Sequence, residues 1–148
     1  MIQGFYHPCL TVSDLERAVD FYTDVIGMKI AWRHEGDSTA WQAVTGRHDV
    51  DIRVVFLEME GRYLELMEYT RGAGRRAEYD LNDIRTAHVS FFSEDVFGTY
   101  EELKGKGVRF VAPPYAVESG EASFLFYDPD GNLLELCTPP ETWRSTSP

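Results

Sequence analysis

Residues 7–14, HPCLTVSD, and residues 88–95, HVSFFSED, each set a histidine seven positions ahead of an aspartate, at an offset of 81. Farther on, GRYLELM (61–67) and GNLLELC (131–137) share Gly, Leu, Glu and Leu at an offset of 70. Two matches that keep their order make this chain an internal repeat, and each copy must then form the same supersecondary unit. The change of offset falls mostly in one polar stretch of the first copy, HEGDSTAWQAVTGRHDVD (34–51), for which the second has a shorter substitute.

The spacing predicts one strand, one helix and three strands in each copy. Residues 5–12 alternate as a strand, and SDLE (13–16) has the form of a capping box, with Ser13 accepting from a backbone amide and Glu16 reaching back. Leu15, Ala18, Val19, Tyr22, Val25 and Ile26 keep the spacing of one buried helix face, which Gly27 ends in a left-handed conformation. Strands follow near 28–34, 52–59 and 62–69. The second copy reads as strand 85–92, helix 94–105 and strands near 108–112, 122–127 and 132–138, with DPDG (128–131) a tight turn. Residues 70–83 read as a polar linker and 138–148 as a loosely held tail. The expectation is a single α+β domain, 1–148, with a first module at 5–69 and a second at 85–138.

Successive strand side chains point to opposite faces. His7, Cys9 and Thr11 therefore oppose Leu10 and Val12, and Tyr63, Glu65 and Met67 oppose Leu64 and Leu66. In the second copy His88, Ser90 and Phe92 oppose Val89 and Phe91, while Glu135 and Cys137 oppose Leu134 and Leu136. With the apolar sets under the helices, His7, Glu65, His88 and Glu135 all point the other way. A glutamate between leucines needs a partner, because an unpaired carboxylate in a partly dry place costs roughly several kcal/mol or loses its charge. Two imidazoles and two carboxylates around a divalent cation form a shell near neutrality, and an octahedral ion keeps places open for substrate. The alternative is four unrelated strand residues, and their repeat-related positions favour the metal. Cys9 and Cys137 share this face and read as small buried apolar residues rather than ligands.

Composition removes other classes. With 148 residues, 43% of them hydrophobic, the chain can bury a core. Lys and Arg number 14 against 25 Asp and Glu, a net charge of -11 that opposes a nucleic-acid surface. No apolar run approaches the ~18 residues of a membrane helix, and MIQGFYHPC lacks the regions of a signal peptide. The expected place is the cytoplasm, with the two cysteines as free thiols and no nucleic-acid or membrane partner. Arg71, Arg75 and Arg76 either meet a phosphate or carboxylate tail or form a solvated charge run. The 34–51 loop, with Trp32, His34, Trp41 and His48 in or beside it, either closes over a larger or more aromatic substrate or is an exposed excursion.

HPCLTVSDLERAVDFYTDVIGMK with YLEL, and HVSFFSED with DPDGNLLEL, resemble the vicinal oxygen chelate superfamily, over roughly residues 5–138. That group contains glyoxalase I, methylmalonyl-CoA epimerase, extradiol dioxygenases and the bleomycin and fosfomycin resistance proteins. The resemblance implies paired βαβββ modules whose mixed sheets curl around a metal with the helices outside, commonly in a homodimer acting on a small molecule. His7, Glu65, His88 and Glu135, in that order, resemble the ligands of bacterial glyoxalase I, and methylmalonyl-CoA epimerase usually has Gln at the Glu65 position. Ni, Co or Zn is implied ahead of Mn or Fe. The implied activity is that of a lyase or isomerase, in which a Lewis-acid cation stabilises the enediolate or enolate left by a departing carbon proton. Glu65 or Glu135 would shuttle that proton, and repeat symmetry leaves the two unranked.

Thr11 and Tyr69 stand where bacterial glyoxalase I typically has an Arg and an Asn of glutathione recognition, which argues against a glutathione thiol adduct. Two other readings stay open. One is an Fe(II) or Mn(II) extradiol dioxygenase or antibiotic-modifying enzyme on His7, His88 and Glu135, with a loop histidine as acid–base residue. The other is a small-molecule-binding protein without catalysis.

Overall fold

The repeated aspartates are helix caps. In a computed structural model describing residues 1–35 and 38–140, Asp14 accepts from the amide of Arg17 at 3.1 Å and Asp95 from that of Gly98 at 2.8 Å. An oxygen at this position satisfies an amide that the first helical turn leaves unpaired. Asp14, not Ser13, is thus the cap of the first helix. Glu16 does not close a capping box either, because two guanidinium groups hold it: Arg33 at 2.8 and 3.0 Å and Arg53 at 2.7 Å. The chain divides into two compact units whose boundary lies between Tyr79 and Asp80.

In the first unit β1 (Cys9–Val12) leads to α1 (Leu15–Asp20), a π-helical turn (Phe21–Val25), β2 (Lys29–Glu35), α2 (Ser38–Thr45), β3 (Asp51–Met59) and β4 (Arg62–Arg71). The sheet runs β1-β4-β3-β2, with β1 parallel to β4 and the other pairs antiparallel. On one face Val55, Leu57, Leu64 and Leu66 are buried under α1, whose Leu15, Ala18 and Val19 are buried in turn. Each of these Val and Leu side chains contributes roughly 1.5–3 kcal/mol. The π turn, closed by the Ile26 amide on the Phe21 carbonyl at 3.2 Å, widens the helix and leaves Val25 and Ile26 only half-buried. Gly27 ends it at φ +92°.

The opposite face carries a second apolar cluster, Val50, Ile52, Val54 and Phe56, packed by Trp41, Tyr63, Met67 and Tyr69. Trp41 comes from α2, a helix that the polar character of residues 34–51 did not announce. Ser38 of α2 hydrogen bonds to Asp51, Gln42 Nε2 donates to the Val50 carbonyl at 3.3 Å, and Arg71 Nε holds Asp51 at 2.6 Å. The excursion is therefore a helix fastened to the sheet.

The second unit contains β5 (His88–Phe92), α3 (Val96–Gly105), β6 (Arg109–Phe110), β7 (Tyr115–Ala116), β8 (Ala122–Tyr127) and β9 (Leu133–Cys137). Its sheet runs β5-β9-β8-β6, with β7 also on β8 and β5 parallel to β9. Phe124, Phe126, Leu134 and Leu136 are buried on one face together with Val96 and Leu103 of α3. The DPDG turn is organised by Asp128, only 4% exposed. Its Oδ1 accepts from the amides of Asp130 at 2.9 Å and Asn132 at 2.8 Å, and its Oδ2 from Asn132 Nδ2 at 2.8 Å. This buried acid is consumed by the turn that aims β9. No helix among the described residues is long and apolar enough to cross a membrane. The expected tail, past residue 140, lies outside the described residues.

Candidate metal centre

Parallel pairing of the first and last strand in each unit sets a histidine beside a glutamate. In the first, Cys9 is the Cα partner of Glu65; in the second, Ser90 is the partner of Glu135. The histidine lies two residues ahead of that partner in both, so the two units repeat the same register around the same two side chains. Nε2 of His7 is 3.1 Å from Glu65 Oε2, and Nε2 of His88 is 3.3 Å from Glu135 Oε2.

The pairs differ in their surroundings. Glu65 is 6% exposed, beside the apolar cluster of its sheet face. The His7 ring meets Phe56 edge-on at 4.6 Å and Tyr6 at 4.5 Å, and its Nδ1 is buried with no hydrogen-bond partner. The second pair is more open, with side-chain exposures of 47% for His88 and 26% for Glu135. Among the described residues no three or more His, Cys, Asp or Glu side chains gather as a group that could hold a metal; each unit brings together two of the four expected residues.

Donor atoms held by one cation at about 2.1 Å, with right or tetrahedral angles between them, stand about 3.0–3.4 Å apart. Both His–Glu separations fall in that range, and the nitrogen and carboxylate donors suit zinc, nickel or cobalt. The residues of each pair therefore fit a divalent ion.

The cysteines differ from expectation: Cys9 is exposed as a whole residue and Cys137 is half-buried, so neither is an apolar filler. Local desolvation of the Cys9 thiol, then the charge of Glu65 and a hydrogen bond to it, push its pKa up to about 12. The thiolate is thus disfavoured beside the carboxylate. Cys137 Sγ lies 3.5 Å from Ser90 Oγ and from the Phe91 carbonyl. Of the basic cluster, Arg71 is committed to Asp51.

A family model described as the Glyoxalase/Bleomycin resistance protein/Dioxygenase superfamily matches residues 4–136. The chain belongs to that superfamily. Within it, the chain is 30% identical over 132 residues to a probable lactoylglutathione lyase of Vibrio parahaemolyticus, covering 88% of this chain and 86% of that one. To a 2-epi-5-epi-valiolone epimerase of Actinomyces sp. it is 32% identical over 145 residues, covering 91% and 79%. Among solved structures, a mutant of the fosfomycin resistance protein FosX of Listeria monocytogenes, complexed with Mn(II) and 1S,2S-dihydroxypropylphosphonic acid, is similar with a TM-score of 0.63 at 25% identity, covering 97% and 98%. The α+β fold with two mixed sheets is that of the superfamily, and relatives within it include lyases, epimerases and resistance enzymes.

Proposed function

We propose that this superfamily member is a divalent-metal-dependent lyase or isomerase of the glyoxalase and epimerase kind, moving a proton next to a carbonyl of a small chelating substrate. The observation that carries the reading is the pair of His–Glu contacts at 3.1 and 3.3 Å in one repeated register. His7, Glu65, His88 and Glu135 are the proposed ligands. Each unit acts as one module and contributes one His–Glu pair to the proposed ligands. When bound, the ion supplies Lewis acidity to two substrate oxygens.

The chain's own residues divide the remaining work. Tyr6 and Phe56 pack against the His7 ring beside the His7–Glu65 pair, and Tyr63 packs against Tyr6. Glu135, less enclosed than Glu65, is the better placed carboxylate to take a proton from carbon and return it. The relatives named as lyase and epimerase support this class. The Mn(II) complex of FosX favours a second reading, antibiotic modification on a three-ligand set, while the four-residue pattern favours the first.

Metal-stripped protein offered Ni, Co, Zn, Mn and anaerobic Fe(II) in competition is expected to retain a stoichiometric ion from the first three. It is then expected to exchange the carbon-bound hydrogens of an α-hydroxyketone with D2O, followed by NMR. Selective retention of Mn or Fe without exchange would replace this reading with the second, and no retention of any ion would end both.

A further inference from the structure

We propose that Trp32 and His34 form a substrate-facing subsite on the first sheet, which takes the flat apolar body and a distal hydrogen-bonding group of the chelated substrate. This rests on the metal-dependent reading above. The inference begins at a β-bulge in β2. Lys29 and Ile30 pair with Glu58 and Leu57, but beyond the irregularity Trp32, Arg33 and His34 pair with Phe56, Val55 and Val54. Regular pairing would have put Ala31 opposite Phe56 and Arg33 opposite Val54. One extra residue exchanges the faces of everything after it.

Residues directly opposite on neighbouring strands share a face. Cys9, Glu65, Phe56 and Trp32 therefore form one row across the sheet, and Thr11, Met67, Val54 and His34 form the next. The Trp32 indole stacks on Phe56 at 4.2 Å with a 13° tilt. Phe56 meets the ring of His7, so aromatic contact is unbroken from the proposed ligand to the indole. The His34 ring lies 6.4 Å from that of Trp41. Val54 and Phe56 are buried, yet Trp32 and His34 are exposed on the same face. The indole covers Phe56 with one side and, like the imidazole, keeps part of its surface open on that face.

The other face shows what holds this register. Arg33 grips Glu16 of α1 with two nitrogens, and Arg53 adds bonds to Glu16 at 2.7 Å and Glu35 at 3.3 Å. With Arg33 drawn to the helix side, its neighbours Trp32 and His34 must look toward the Glu65 side. In the second unit the corresponding edge is divided between β6 and β7, each of two residues.

Two strand spacings separate β2 from β4, so Trp32 stands on the order of 10 Å from Glu65. A substrate with its chelating oxygens beside Glu65 and a ring or comparable planar body reaches the indole. One further hydroxyl or carbonyl reaches the imidazole, which can donate or accept. The substrate class is thus a vicinal-oxygen chelator with a planar apolar body and a polar far end.

The test uses full-length protein first shown to hold a stoichiometric divalent ion, and three probes: acetohydroxamate, benzohydroxamate and 4-hydroxybenzohydroxamate. The first reads chelation alone, the second adds the ring, the third adds the polar group. Benzohydroxamate should bind about three- to tenfold more tightly than acetohydroxamate, and Trp32→Ala should erase most of that gain. The 4-hydroxy compound should gain about a further threefold or more, lost in His34→Ala with acetohydroxamate affinity and metal content unchanged. Deletion of Ala31, which removes the extra residue but leaves Trp32 opposite Phe56 and His34 opposite Val54, should keep both gains. Equal binding of all three probes, no binding of any to the metal-loaded protein, or a ladder unaltered in the two point variants would overturn the subsite. Failure to hold metal, seen before any hydroxamate is added, would instead end the reading on which the subsite rests.

Discussion

Nε2 of His7 faces Glu65 Oε2 at 3.1 Å, while Nδ1 on the far side of the same ring is buried without a partner. Burying a carboxylate such as Glu65 carries a desolvation cost that the pairing must offset. Glu65→Gln keeps the shape and removes the charge, so it should leave the metal-free protein as stable as before, or more stable by about 1 kcal/mol. The same change should weaken metal binding by at least about 10–100-fold, the range that loss of a ligand's own partner already produces. Urea melts of stripped protein beside metal titrations check the opposite signs. A stripped variant clearly less stable than wild type, with metal affinity intact, would make the pair merely structural.

Glu16 ties α1 to β2 and β3 through Arg33 and Arg53, and hydrogen bonding to Arg33 is the main cause that holds its carboxyl below the usual 4.5. The folded value is lower than the unfolded one, so the contribution is present above pH 4.5 and is lost as pH falls through the folded value. Glu16 is well exposed, and solvent screening limits the contribution to roughly 0.5–1 kcal/mol. Glu16→Gln should cost that much at pH 7, less in high salt, and the gap to wild type should close under acid. Denaturation at pH 7 and near pH 3 measures it.

Asp95 and Gly98 are coupled. A Cβ built on Gly98 would run into the Asp95 carboxylate that caps α3. Glycine to alanine inside a helix normally gains about 1 kcal/mol, but here the gain should be cancelled by the loss of a cap worth about the same. In an Asp95→Ala background Gly98→Ala should recover its ordinary benefit. A thermal double-mutant cycle with additive effects would contradict the proposed clash.

Trp41 fastens α2 to the cluster of Val50, Ile52, Val54 and Phe56. Trp41→Ala should destabilise by about 3 kcal/mol, toward the low end of aromatic truncations because the side chain is only half-buried. Hydrogen exchange should show the loss confined to residues of α2 and the adjoining part of β3. Uniform loss across both units would mean that the helix is not a local attachment.

Much of the fold was legible because repeat and parity are redundant signals. The strand at 122–127 matches β8, and the leucines flanking Glu65 and Glu135 lie opposite the acids as alternation requires. Local competition between polar groups was not legible. Ser13 and Asp14 both suit a cap, and only the distant arginines that claim Glu16 show why no box forms. The bulge in β2 was also hidden, since one extra residue leaves no mark on composition but reverses the faces of Trp32 and His34. Nor did the sequence separate the two glutamates, whose neighbours along the chain are alike and whose neighbours in space are not.

The α2 segment enters between β2 and β3, while His7 and Glu65 are aligned by β1 and β4 toward the other edge of the sheet. Apart from Ser38, Trp41 and Gln42, which fasten it to the sheet, its composition can therefore change without disturbing that alignment. For protein engineering this makes residues 38–45 a graft point, where helices of different chemistry can be exchanged to retune what the proposed chelating framework admits.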